Sequence, residues 1–115
     1  KDNKTNGGFI RYYLGLQPSP DTVRIFDRKE FYTVHGADAE FVARRFFRTT
    51  AVLKTQNASG CAPLAGCVVN AKMLERVLRD LLVESADKSV EMYAQEGSGW
   101  ALSRAASPGK LGAFE

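Results

Sequence analysis

The stretch Ile25-Phe26-Asp27-Arg28-Lys29-Glu30-Phe31-Tyr32-Thr33-Val34-His35-Gly36 reads as two short β-segments joined by a charged turn, Arg28-Lys29-Glu30. Two aromatics, Phe31 and Tyr32, follow that turn directly. Neighbouring side chains in a strand point to opposite faces, so one ring of the pair can be core while the other looks outward. Cations beside an outward ring suit a nucleic acid, the charge meeting phosphate and the flat ring meeting a base. The same pattern also describes a core strand that follows a solvated turn.

Working outward, residues 1–7 are expected to form an unstructured leader, and the domain proper to run over 8–109. Phe9, Ile10, Tyr13 and Leu14 recur at helical spacing and predict a short helix over Gly8 to Gly15, with the glycine placed to end it. Pro18 and Pro20 make the next segment a connector. Thr22 to Asp27 alternates and reads as a strand, with Phe31 to His35 as its antiparallel neighbour. Gly36-Ala37-Asp38 opens a helix, with Asp38 suited to the positive end of the dipole. Its buried face is expected to be Ala39, Val42, Ala43, Phe46 and Phe47, while Arg44, Arg45 and Arg48 collect on a solvated side, helped by a Glu40–Arg44 pair.

Ala51 to Gln56 and Leu64 to Val69 are expected as the third and fourth strands. Asn70 reads as an N-cap for a second long helix, Lys72 to Val83, whose apolar stripe is Leu74, Val77, Leu78, Leu81 and Leu82. Ser89 to Glu96 and Trp100 to Ala106 form a hairpin around Gly97-Ser98-Gly99. Residues 110–115 are expected to lead toward a following domain. The sum is an α/β (α+β) fold, a mixed sheet of about six strands with helices packed on it.

Composition sets outer bounds. A chain of 115 residues is one domain with a modest core, and 44% apolar with 25% charged residues is that of an ordinary globular protein. A net charge of +3 and a pI near 9.0 permit a polyanionic partner without requiring one. No apolar run reaches the length of a membrane span, and the polar start is not a secretory signal. Cys61 and Cys67 follow no metal or redox spacing and read as free thiols.

Catalytic patterns are weak. A single histidine, His35, is expected to be ordinary and partly exposed, and no nucleophile elbow or phosphate-binding glycine loop is present. Asp21 and Lys54 imitate a metal-dependent nuclease, but Val52 stands where a second carboxylate must be. Binding is therefore the chemistry to pursue. The candidate surface is the turn Arg28-Lys29 with Phe31 and Tyr32; Thr33 joins these site residues through the resemblance described next. A ring wedged between base steps meets an unstacking cost of a few kcal/mol, and a stacked base returns about 1–3 kcal/mol.

Phe26 to Gly36, with the segment at Lys72 and Ser107-Pro108-Gly109-Lys110-Leu111 ending in Phe114-Glu115, resembles the first domain of the MutS family. The similarity runs from Gly8 to Glu115. Within that family, Phe-Tyr-Thr followed by His-Gly is similar to the subunit shared by both eukaryotic repair heterodimers. The resemblance implies a MutS N-terminal-like α/β fold, a nuclear protein of DNA mismatch repair, and a second MutS-homologue subunit as partner in a heterodimer. It implies contact with double-stranded DNA carrying a mismatch or small insertion–deletion loop. In mismatch-sensing members a Phe-x-Glu motif stacks and hydrogen-bonds the mispaired base; Phe31 matches the phenylalanine, and Thr33 replaces the glutamate. That departure implies a supporting role with no primary mismatch readout. No cofactor and no catalytic residue are expected in this domain, since ATP and Mg belong to an ATPase domain of the longer protein. The alternative is a protein-interaction module that docks a partner subunit without touching DNA.

Overall fold

Polar, proline-marked connectors separate the apolar runs, and each run becomes one element of a three-layer α/β/α unit. The computed structural model describes residues 2–110, with side chains from Gly8 onward. The elements are α1 (Asp2–Leu14), β1 (Thr22–Asp27), β2 (Tyr32–His35), α2 (Gly36–Val42), β3 (Lys54–Gln56), β4 (Leu64–Val69), α3 (Ala71–Arg79), β5 (Ser89–Glu96) and β6 (Gly99–Ala106). Helices α2 and α3 each continue into one wide, π-type turn, Ala43–Phe47 and Asp80–Glu84. Most of the expected connection over 110–115 lies outside the described residues.

The six strands form one mixed sheet in the order β3-β4-β2-β1-β5-β6. β1 pairs antiparallel with β2 and parallel with β5, so α3 lies on the crossover that brings β5 to the far side of β1. On one face, α2 and α3 bury Ala39, Val42, Phe46, Val77 and Leu81 against Val23, Ile25, Val34 and Met92. On the other face, α1 sets Phe9 and Ile10 over Phe26, Leu64 and Tyr93. The rings of Phe26 and Tyr93, paired in register, stack at 5.0 Å. Aromatic contact of this kind adds about 0.5–1.5 kcal/mol beyond burial. Tyr13 Oη donates to the His35 carbonyl at 2.8 Å and pins α1 over β2.

The strands β1, β4 and β5 stand where the sequence predicts them, and the Asn70 cap accepts from the Met73 amide at 2.8 Å. Other elements differ. Helix α1 begins at Asp2 rather than Gly8, no proline interrupting residues 2–8. The expected strand from Ala51 is cut to Lys54–Gln56, because the Thr49 hydroxyl accepts from the Ala51 amide and the Thr50 carbonyl from the Leu53 amide. Val52 and Leu53 reach the core from that turn instead.

Asp38 stands in the first turn of α2, as expected, and takes a further partner there. Its carboxylate Oδ2 accepts from the Arg24 amide of β1 at 3.0 Å, and burial pushes its pKa up to about 6. A carboxyl held above its usual range favours folding when protonated, and that contribution fades as pH rises through the interval up to about 6. Asp38→Asn keeps an acceptor for Arg24 and removes the ionised form. It is expected to raise stability at pH 7 by about 1–2 kcal/mol and to leave stability at pH 4 nearly unchanged, measured by urea unfolding at both values.

Candidate nucleic-acid interface

The β1–β2 connection is a tight charged turn whose backbone is fixed from within. The Arg28 amide donates to the Phe31 carbonyl at 2.8 Å, and the Lys29 amide donates to Asp27 Oδ1 at 2.7 Å. Lys29 takes a left-handed conformation, φ 80°, which a non-glycine residue adopts only where its surroundings enforce it. Lys29, Glu30 and Phe31 are exposed, and the Phe31 ring has 39% of its surface open. Tyr32 turns the other way and packs on the α2–α3 side of the core. Of the aromatic pair, Phe31 is the outward ring.

Arg28 does not project from the turn. Its guanidinium lies 4.6 Å from the Phe9 ring centroid and 4.9 Å from that of Trp100, clasped between α1 and β6. Its Nε donates to Thr33 Oγ1 at 3.1 Å, and Thr33 Oγ1 stands 2.9 Å from His35 Nε2. Burial lowers the pKa of the half-buried guanidinium, and among the described residues no carboxylate forms an ion pair with it. An aromatic clasp and one hydroxyl therefore hold a cation whose charge is not neutralised locally.

Thr33 is buried, and its hydroxyl is engaged by Arg28 and His35. Of the five site residues the sequence singles out, the tip brings Lys29 and Phe31 together at the surface. Arg28 is behind them, and Tyr32 and Thr33 are turned inward. His35 is not partly exposed, as expected, but 1% exposed, because Phe9, Tyr13 and Phe26 close over its ring. Burial, then the nearby charge of Arg28, push its pKa down to about 3. Sequence reasoning misses this Arg28–Thr33–His35 chain and its frame of Phe9 and Trp100. The one local signal is that Thr33 and His35 share a strand face, two residues apart.

The arginine face also differs from expectation. Arg44 pairs with Glu40 at 3.6 Å, as the spacing predicts. Arg45 instead reaches across to Asp87 at 2.8 Å and Asp80 at 3.5 Å, its guanidinium stacked on Phe41. It ties the ends of the two long helices together and is not simply a solvated charge. Cys61 and Cys67 are free thiols. Among the described residues, no group of three His, Cys, Asp or Glu side chains could hold a metal ion, and no helix is long and apolar enough to cross a membrane.

A mixed sheet flanked by helices, with an exposed aromatic at a charged hairpin tip, defines a small α/β domain. The family described as MutS domain I matches residues 7–115, and the chain belongs to that family. It is similar to the DNA mismatch repair protein MSH2 of Arabidopsis thaliana, 40% identical over 114 residues, and of Zea mays, 37% identical over 114 residues. Each of these alignments covers 99% of this chain and 12% of the relative. The MSH2 of Saccharomyces cerevisiae is 34% identical over 110 residues, covering 90% of this chain and 11% of that protein. The chain spans about an eighth of the length of these relatives, a region most like their N-terminal MutS-homologue domain.

Proposed function

We propose that this chain is the DNA-facing domain of a mismatch-repair subunit, acting in the nucleus beside a second MutS homologue. The observation that carries this reading is the tip itself, where exposed Phe31 and Lys29, with Glu30 between them, stand in front of Arg28, which no carboxylate pairs among the described residues. The ring can wedge at a step where stacking is already weak, and the cations can hold the backbone of the bent duplex. Thr33 has no hydroxyl to spare for a base edge, which supports the absence of a Phe-x-Glu readout and a helper role at mismatches or small loops. In this reading the chain itself catalyses nothing. ATP hydrolysis with its Mg belongs to other parts of the longer protein.

Anisotropy of labelled duplexes tests the proposal. Phe31→Ala is expected to lower affinity for a duplex with a small extrahelical loop by about 5- to 100-fold, the equivalent of one lost stacking contact. Because the ring is open to solvent, unfolding free energy should move by less than about 0.5 kcal/mol. Lys29→Gly relaxes the left-handed residue while removing its charge, so it should fold at least as well and bind with a shallower salt dependence. A looped and a fully paired duplex bound equally, with no response to salt, would favour the protein-docking alternative.

A further inference from the structure

The outer face of α3 carries charge that no acid among the described residues neutralises. Leu74, Val77 and, in the wide turn that follows, Leu81 are buried, while Lys72, Arg76 and Arg79 recur at i, i+4 and i+7 and share the exposed face. The spacing offers Glu75 to Arg79 and Asp80 to Arg76, yet neither ion pair forms among the described residues. Asp80 is engaged instead by Arg45 at 3.5 Å and by the Ser85 hydroxyl. The α2 arginines differ in this respect, since Arg44 has Glu40 and Arg45 has Asp87.

The order of charges along this helix also runs against its own dipole. The helical run 71–84 has no acid in its first turn, where Lys72 stands, and no cation in its final five residues, which hold Asp80 and Glu84. Charges placed for helix stability would be reversed in sign. An anion brought from outside to the first half of the helix relieves that conflict. The place is also the right one for a contact continuous with the hairpin. Strand β4 ends at Val69, which pairs with Tyr32, and Asn70 caps α3 directly after it, so the first turn of α3 rises beside the root of the β1–β2 hairpin. From Lys72 to Arg79 the ridge runs about 10 Å, the axial rise of about three phosphates on one strand of a duplex.

We propose that the outer ridge of α3, formed by Lys72, Arg76 and Arg79, binds the phosphate backbone of duplex DNA flanking the step that Phe31 meets. The proposal rests on the DNA-facing reading and extends it: the tip engages the weak step, and the ridge holds the flank. Backbone contacts position a protein on the duplex and carry no base information. The ridge therefore adds affinity for looped and fully paired duplex alike, and the preference between them stays with Phe31.

The test is anisotropy of the full 115-residue chain with looped and fully paired duplexes across a salt series. The triple variant Lys72→Gln, Arg76→Gln and Arg79→Gln changes exposed side chains to another good helix former, so it should fold as the parent does. It is expected to weaken binding of both duplexes by the same factor and to make the slope of log affinity against log salt shallower by about 2–3. Glu75→Gln, which removes the one exposed acid beside the ridge, should tighten both by about two- to tenfold. An unchanged slope in the triple variant overturns the proposal; if Phe31→Ala still lowers affinity for the looped duplex, the DNA-facing reading survives that failure. Loss of binding in the triple variant with no effect of Phe31→Ala sustains the ridge and sinks the tip. Neither duplex binding at low salt overturns the ridge as a DNA surface. A poly-glutamate peptide bound more tightly than paired duplex, and released by the triple variant, assigns the ridge to an acidic protein and overturns the proposal as well.

Discussion

Acidification is expected to unfold this domain through His35. The imidazole is held neutral in the folded state, with its pKa pushed from 6.5 down to about 3, whereas the unfolded chain takes up a proton near the ordinary value. A base with a depressed folded pKa contributes stability that is whole above pH 6.5 and is lost progressively as pH falls toward 3. The full interval corresponds to about 4–5 kcal/mol, a large share of the stability of a domain this size. Asp38 works in the opposite sense between about pH 6 and 4, so the net loss should be shallow there and steep below. The measurement is urea unfolding from pH 8 to pH 3, with the His35 ring carbon signals followed in parallel. A folded-state midpoint near 6.5 would refute the burial argument. His35→Gln, which cannot take up the proton, should flatten the acid limb even if its stability at pH 7 is lower.

Replacing Arg28 is expected to have the second large effect, and a coupled one. Its guanidinium contributes to two ring contacts and one hydrogen bond, together about 2–3 kcal/mol in a half-buried setting. Arg28→Ala should lose that amount. Arg28→Met, which keeps most of the packing, should lose less, whereas Arg28→Lys is no conservative change at a stacked site. A purely structural loss would stop there. Here the Arg28 charge also depresses His35, so both neutral variants should raise the His35 midpoint in the folded protein. An unmoved midpoint would mean that the Arg28 charge does not depress His35.

Much of the scaffold was legible because it is local. Strands β1 and β5 alternate, β4 is a run of small and β-branched residues, and the amphipathic stripe of α3 follows an asparagine cap, so local pattern and punctuation sufficed. The shortened β3 was not legible, since Val52 and Leu53 have strand-like side chains while Thr49 and Thr50 capture the backbone into a turn. The hairpin tip was half legible. Its cations, rings and turn are contiguous, and alternation left open which ring of Phe31-Tyr32 faces out. What clasps Arg28 comes from Phe9 and Trp100, far away on both sides in the chain, and what engages Arg45 lies 35 and 42 residues further on. No window of sequence contains such partners. A charge whose neutraliser is distant, or is a pair of rings rather than an acid, looks like a solvated charge until the fold assembles around it.

The clasp also sets an order of events as the chain is made. Strand β1 and its hairpin partner are complete by His35, but the parallel neighbour β5 begins at Ser89 and Trp100 comes later still. Until then Arg28 has one ring instead of two, and β1 has one edge unpaired. Long-range closures of this kind come late because loop entropy must be overcome before the contacts form. The tip is thus made early and is among the last parts to become rigid. A ribosome-bound chain short of Trp100 would present the Phe31 ring on a turn whose cation is still free to wander.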